Sequence, residues 1–143
     1  MEYCGSIWDT TVKNESAMLE NVQRRSARWA RGAHGIISVT ALLKDLDWQP
    51  LADRRRNMRL CLFYKIINSE LNIPGKSVDI VPSVRRNRKA HSLNLNPVNG
   101  RDEFSPFWKG TVARTVPEWN KLSEAAVSAD SITTFKSQLP VAP

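Results

Sequence analysis

Cysteine is scarce in this sequence: Cys4 and Cys61 are the only two in 143 residues. That is too few for a disulfide scaffold and, by themselves, too few for a tetrahedral zinc site. Long apolar runs are also missing. Leu60-Cys61-Leu62-Phe63-Tyr64 ends at Lys65, far short of the ~18 residues that span a bilayer. Met1-Glu2-Tyr3-Cys4 has neither the basic start nor the apolar core of a secretory signal. Together these features predict a chain that is neither secreted nor membrane-bound, in a reducing intracellular setting, cytoplasmic or nuclear. Catalytic patterns are lacking too, with no Gly-rich phosphate loop and no nucleophile elbow. His34 in a Gly-rich loop and His91 in a polar stretch have no Cys or carboxylate at metal-ligand spacing, so both read as surface histidines. Cys61, inside an apolar helix, reads as a small hydrophobe. The expectation is no enzyme chemistry in this chain, no metal, no cofactor and no small-molecule substrate.

What the sequence has in excess is arginine. It carries 21 Lys+Arg against 14 Asp+Glu, a formal charge of +7. Twelve of the basic residues fall into three clusters: Arg24, Arg25, Arg28 and Arg31; Arg54, Arg55, Arg56 and Arg59; Arg85, Arg86, Arg88 and Lys89. Any one cluster also reads as a solvated helix face. Three of them, almost all arginine, favour a polyanion, because the planar guanidinium fork matches phosphate oxygens.

Periodicity predicts an all-α chain, a small helical domain of about four helices with a long irregular basic loop. Asn14 is placed as the N-cap of a first helix ending at Gly32. At 100° per residue, Met18, Leu19, Val22, Ser26, Trp29 and Ala30 share one side, and Arg24, Arg28 and Arg31 lie opposite within roughly 60°. The expected arrangement therefore buries Leu19, Val22 and Trp29. Ser38 reads as the cap of a short second helix with Leu42, Leu43 and Leu46 inward. A third helix is expected from about Pro50 to Glu70, with Leu62, Phe63, Ile66 and Ile67 at the centre of the core. Its arginine-rich start is mildly unfavourable against the helix dipole, which Asp47, Asp53 or a bound phosphate would offset. From Lys76 to about Arg101 the chain reads as an irregular arm. Phe107, Trp108, Val116, Trp119 and Leu122 then read as anchors. Ser131 caps a last helix that turns Ile132, Phe135 and Leu139 inward. The expected division is 1–72, helical; 73–103, basic arm; 104–143, aromatic-anchored tail. The five tryptophans are expected mainly in the core, Trp29 most clearly, although such rings also stack on bases.

Several segments carry a resemblance. Glu2-Tyr3-Cys4-Gly5-Ser6-Ile7-Trp8-Asp9, Leu19-Glu20-Asn21-Val22-Gln23-Arg24-Arg25-Ser26-Ala27-Arg28-Trp29, Ser38 to Trp48, Leu51 to Arg56 with Phe63 to Asn68, Arg114 to Leu122, and Ser131 to Leu139 follow one another in the order seen in LINE-type non-LTR retrotransposon reverse transcriptases. The chain resembles the jockey- and CR1-like members, in the region from the end of the thumb through the C-terminal tail. Met1 replaces a leading Leu, so the resemblance starts inside a family helix. Ser123 stands where the family usually has Pro, which is expected to weaken that turn. The palm motif with its metal-binding aspartates is absent, so no catalytic residue carries over. The resemblance implies a truncated, non-catalytic fragment of an RNA-directed DNA polymerase that grips RNA or DNA phosphates without reading sequence. The residues expected to do so are Arg24, Arg28, Arg31, Arg54, Arg55, Arg59, Arg85, Arg86 and Arg88. The alternatives are a protein-interaction module docking on the missing upstream polymerase domain, with Leu60 to Ile67 and the tail as its surface, or a decayed remnant.

Overall fold

In a computed structural model the described residues are 5, 9–10, 12–33, 37–68, 70, 91–93, 95 and 106–139, with the side chains of 106–109 excepted. They are all-α: α1 (Lys13–Ala30), α2 (Val39–Asp45), α3 (Leu51–Ile67), α4 (Pro106–Trp119), α5 (Glu124–Val127) and α6 (Ile132–Gln138). No helix among them is long and apolar enough to cross a membrane. The chain forms two compact units, Met1–Arg56 and Asn57–Pro143. Most of the expected arm, including Arg85, Arg86 and Arg88, lies outside the described residues, as do His34, Cys4 and Trp8.

In the first unit, α1 begins two residues earlier than Asn14 as a cap would allow. The Ser16 N–H already donates to the Val12 carbonyl at 3.0 Å, and Val12 occupies the cap position without a side-chain acceptor. Thr10 compensates from outside the helix, its hydroxyl accepting the Val12 N–H at 3.1 Å and donating to Glu15. The other end closes as expected. Gly32 has φ +56°, and the Gly32 and Ala33 N–H groups donate to the Trp29 and Arg28 carbonyls, a Schellman closure that uses glycine's access to the left-handed region. Ser38 caps α2, its hydroxyl accepting the Ala41 N–H. The helix ends with Asp47 at φ +53° while the Trp48 N–H reaches the Leu43 carbonyl at 2.8 Å. Aspartate is one of the few side chains that tolerate this conformation.

The expected packing face of α1 is overturned. Gln23 and Ala27 are the buried residues, whereas Trp29 is 88% exposed and Met18 and Val22 are also exposed. Polar contacts decide the rotation. Glu20 Oε1 accepts the Ala52 N–H at 2.7 Å, and Gln23 Nε2 donates to the Gln49 carbonyl at 2.8 Å. Gln23, Ala27 and Glu20 share one side of the helix, and Met18, Val22 and Trp29 face away from it.

The second unit holds the larger core: Leu60, Phe63 and Tyr64 of α3; Val112, Val116 and Trp119 of α4; then Leu122, Ala126, Val127, Phe135 and Leu139, with Leu95 added. On α3 the inward stripe is therefore 60/63/64. Leu62 and Ile66 are only half-buried, a correction to the expected core centre; Phe63 is retained in it, and Ile67 packs against it half-buried. Trp119 is fully buried, its ring centroid 5.8 Å from Phe135 and 6.5 Å from Phe63. The expected anchors Val116 and Leu122 are buried beside it, and Ser131 caps α6 as read, accepting the Thr134 N–H at 3.2 Å. Ser123 caps α5 in the same way, accepting the Ala126 N–H, so the serine supplies a helix-start signal at that turn.

His91 is the other correction: it is 4% exposed, with Nε2 donating to the Trp119 carbonyl at 3.0 Å and its ring edge-on to the indole. The short stretch around it docks through its backbone. The Trp119 indole N–H donates to the Leu93 carbonyl at 3.1 Å. Asn120 both accepts the Leu95 N–H at 2.9 Å and donates to its carbonyl at 2.8 Å. Glu124 accepts from the Ser92 N–H and hydroxyl.

Candidate nucleic-acid interface

The arginines divide by environment. On α1, Arg24, Arg25 and Arg28 are exposed, and none of the three makes a side-chain hydrogen bond or ion pair. They occupy the helix flank beside the outward Met18, Val22 and Trp29, so a cationic strip borders an apolar one. Arg25 is absent from the sequence-derived set, yet it is as exposed as its neighbours. Its place in the Arg24-Arg25 pair is the signal that finds it. Arg31 is exposed but engaged, pairing with the Asp45 carboxylate and reaching the Asp45 carbonyl at 3.4 Å. Such a surface pair is worth at most about 1 kcal/mol, so a phosphate competes with Asp45 for it at little cost.

The second cluster is mostly structural. Arg55 is 5% exposed; its Nε donates to the Leu51 carbonyl at 3.1 Å, and its guanidinium lies 3.7 Å from Glu20 and 4.0 Å from Asp9. Arg59, also 5% exposed, donates to Glu118 Oε2 at 2.9 Å. Neither guanidinium is presented to a ligand in this arrangement. Arg54 and Arg56 are half-buried.

An anion was expected at the start of α3, to balance arginines set against the positive end of the dipole. Glu20 from α1 supplies it, taking the Ala52 N–H that a phosphate would have used. That helix start is a filled carboxylate site.

Arg54, with Gln23, Ser26, Trp48 and Leu51, lines a cavity of about 340 Å³ in the first unit. Of the nine expected residues, the structure thus brings together Arg24 and Arg28 on α1 and Arg31 at its C-cap, with Arg54 on the cavity wall in the same unit. It withdraws Arg55 and Arg59, and Arg85, Arg86 and Arg88 lie outside the described residues. Among the described residues no three His, Cys, Asp or Glu side chains gather to hold a metal ion. Burial pushes the Tyr64 phenol above its ordinary value, helped by Glu70 and Asp130. The Cys61 thiol is raised by burial against the opposing pull of Lys136 and Lys65.

No protein-family model, curated protein or solved structure matches this chain.

Proposed function

We propose that this chain is a non-catalytic nucleic-acid-binding module, derived from the C-terminal region of a LINE-type reverse transcriptase, which grips phosphates without reading sequence. The observation that supports this most is the α1 strip of Arg24, Arg25 and Arg28, exposed and without partners. Three unpaired guanidiniums within five residues repel one another, and a phosphate backbone relieves that repulsion while releasing its counterions. Arg31 and Arg54 extend the grip on the same unit, and Arg85, Arg86 and Arg88 add to it. Arg55 and Arg59 hold the fold instead. With about six phosphates engaged, the log–log salt slope on duplex DNA is about −5. A fluorescence-anisotropy titration against salt tests this, and binding that ignores salt contradicts it.

A second reading, a module that docks on the upstream polymerase domain, is favoured by one observation: the outward Met18, Val22 and Trp29 of α1. It moves the docking surface from Leu60 to Ile67, whose Leu60, Phe63 and Tyr64 are already covered, onto α1. Co-expression with an upstream polymerase segment, followed by protection of Trp29 from solvent quenchers, tests it.

A further inference from the structure

The cavity in the first unit has a composition that the phosphate grip does not use. Its five lining residues include an indole, Trp48, a leucine, Leu51, a guanidinium, Arg54, and two polar groups, Gln23 and Ser26. None is a carboxylate. At about 340 Å³ it lies at the small end of ligand-binding clefts.

Gln23 is the informative member. It is 4% exposed, and its amide is oriented by the Nε2 bond to the Gln49 carbonyl at 2.8 Å. Its Oε1 is buried and has no hydrogen-bond partner. Buried acceptors are almost always satisfied, so the empty Oε1 of a residue that lines the cavity calls for an N–H from outside the chain. The Ser26 hydroxyl spends its proton on the Val22 carbonyl at 3.0 Å, so it too offers only lone pairs to the cavity. Both residues therefore carry acceptors. Trp48 keeps part of its ring surface exposed, and Arg54 contributes positive charge.

A flat aromatic wall, acceptors that require N–H donors, and a guanidinium describe one chemistry. We infer that this cavity holds a single unpaired nucleobase, stacked on Trp48 with an N–H donated to Gln23 Oε1 and its phosphate beside Arg54. The inference rests on the nucleic-acid reading and deepens it. Duplex DNA keeps its bases stacked and its N–H donors paired, so the cavity selects single strands, unpaired loops or free nucleotides.

The test compares a short single-stranded oligonucleotide of thymidines, the matching duplex, and thymidine monophosphate, all at low salt. Trp48→Ala lowers single-strand affinity by about tenfold, the order of one lost stacking contact, and leaves duplex affinity unchanged. Trp48→Phe retains most of the affinity. An oligonucleotide of N3-methylthymidine, which lacks the N–H, binds the parent chain as weakly as the normal strand binds Trp48→Ala. That last arm changes the ligand only and carries no risk to folding. Saturable binding of the monophosphate assigns the cavity to free nucleotides, and binding by the strand alone assigns it to polynucleotides; either supports the base pocket. Equal affinity of the parent and Trp48→Ala for single strands, with salt-dependent binding intact, overturns the pocket and leaves the phosphate grip standing. A parent chain that binds neither strand nor nucleotide overturns both.

Discussion

Replacing Arg59 with methionine separates an arginine that holds the fold from one that holds a ligand. Methionine keeps the apolar stem and removes the charge, and with it the contact with Glu118. The Arg59 side chain is 6% exposed and that of Glu118 is 28% exposed, with 2.9 Å between nitrogen and oxygen. Breaking a fully buried pair by removing one partner costs about 3–5 kcal/mol, because the other charge is left desolvated. Glu118 keeps part of its surface in water, which lowers the expected loss to about 2 kcal/mol. With a urea m-value of about 2 kcal/mol/M for a chain of this size, the midpoint falls by about 1 M. Adding Glu118→Gln removes the stranded charge and recovers about 1 kcal/mol, the signature of coupled residues in a double-mutant cycle. Urea titrations followed by far-UV circular dichroism read both numbers. If Arg59→Met left the midpoint unchanged and weakened nucleic-acid binding instead, Arg59 would face a ligand and the structural assignment would fall.

Other outcomes follow from single residues. Gly110 sits inside α4, and a β-carbon there meets nothing within 4 Å; Gly110→Ala therefore stabilises the chain by about 0.5–1 kcal/mol, read as a rise in the thermal midpoint. Tyr64 donates to the Ala129 carbonyl at 2.6 Å, and its folded pKa is raised by burial. Its contribution is fully present below its ordinary value of about 10 and is lost as pH rises through the folded value, so stability falls above about pH 10. Tyr64→Phe shows a shallower decline in urea midpoints over that range, while the Cys61 thiol, also raised, contributes equally to both proteins. Trp29→Ser changes stability by less than about 0.5 kcal/mol, because the ring is 88% exposed; a loss of several kcal/mol contradicts the observed rotation of α1.

What was legible in the sequence was local. Ser38 and Ser131 cap helices by bonding N–H groups three residues on, and Gly32 closes α1; each signal lies within one turn of its effect. Phe63, Phe135 and Leu139 were legible because apolar spacing alone put them inward. The face of α1 was not legible, because Glu20 and Gln23 find partners at Ala52 and Gln49, far along the chain, and these override the apolar stripe. His91 was read as a surface residue because nothing near it in sequence announces the Trp119 carbonyl that accepts its proton. In α4, Gly110, Pro117 and the two threonines Thr111 and Thr115 depress helix propensity, so the segment read as a set of anchors. For the site, clustering found the arginines but not their fates: Arg55 and Arg59 lie one helical turn apart, and long-range carboxylates claim both.

The central claim is that the exposed arginines of α1 grip phosphates. Replacing Arg24, Arg25 and Arg28 together with glutamine and measuring duplex affinity against salt tests it most directly. The parent chain gives a log–log slope of about −5, and the triple variant, short of three phosphate contacts, gives about −3 with unchanged stability. Identical slopes for the two proteins would contradict it.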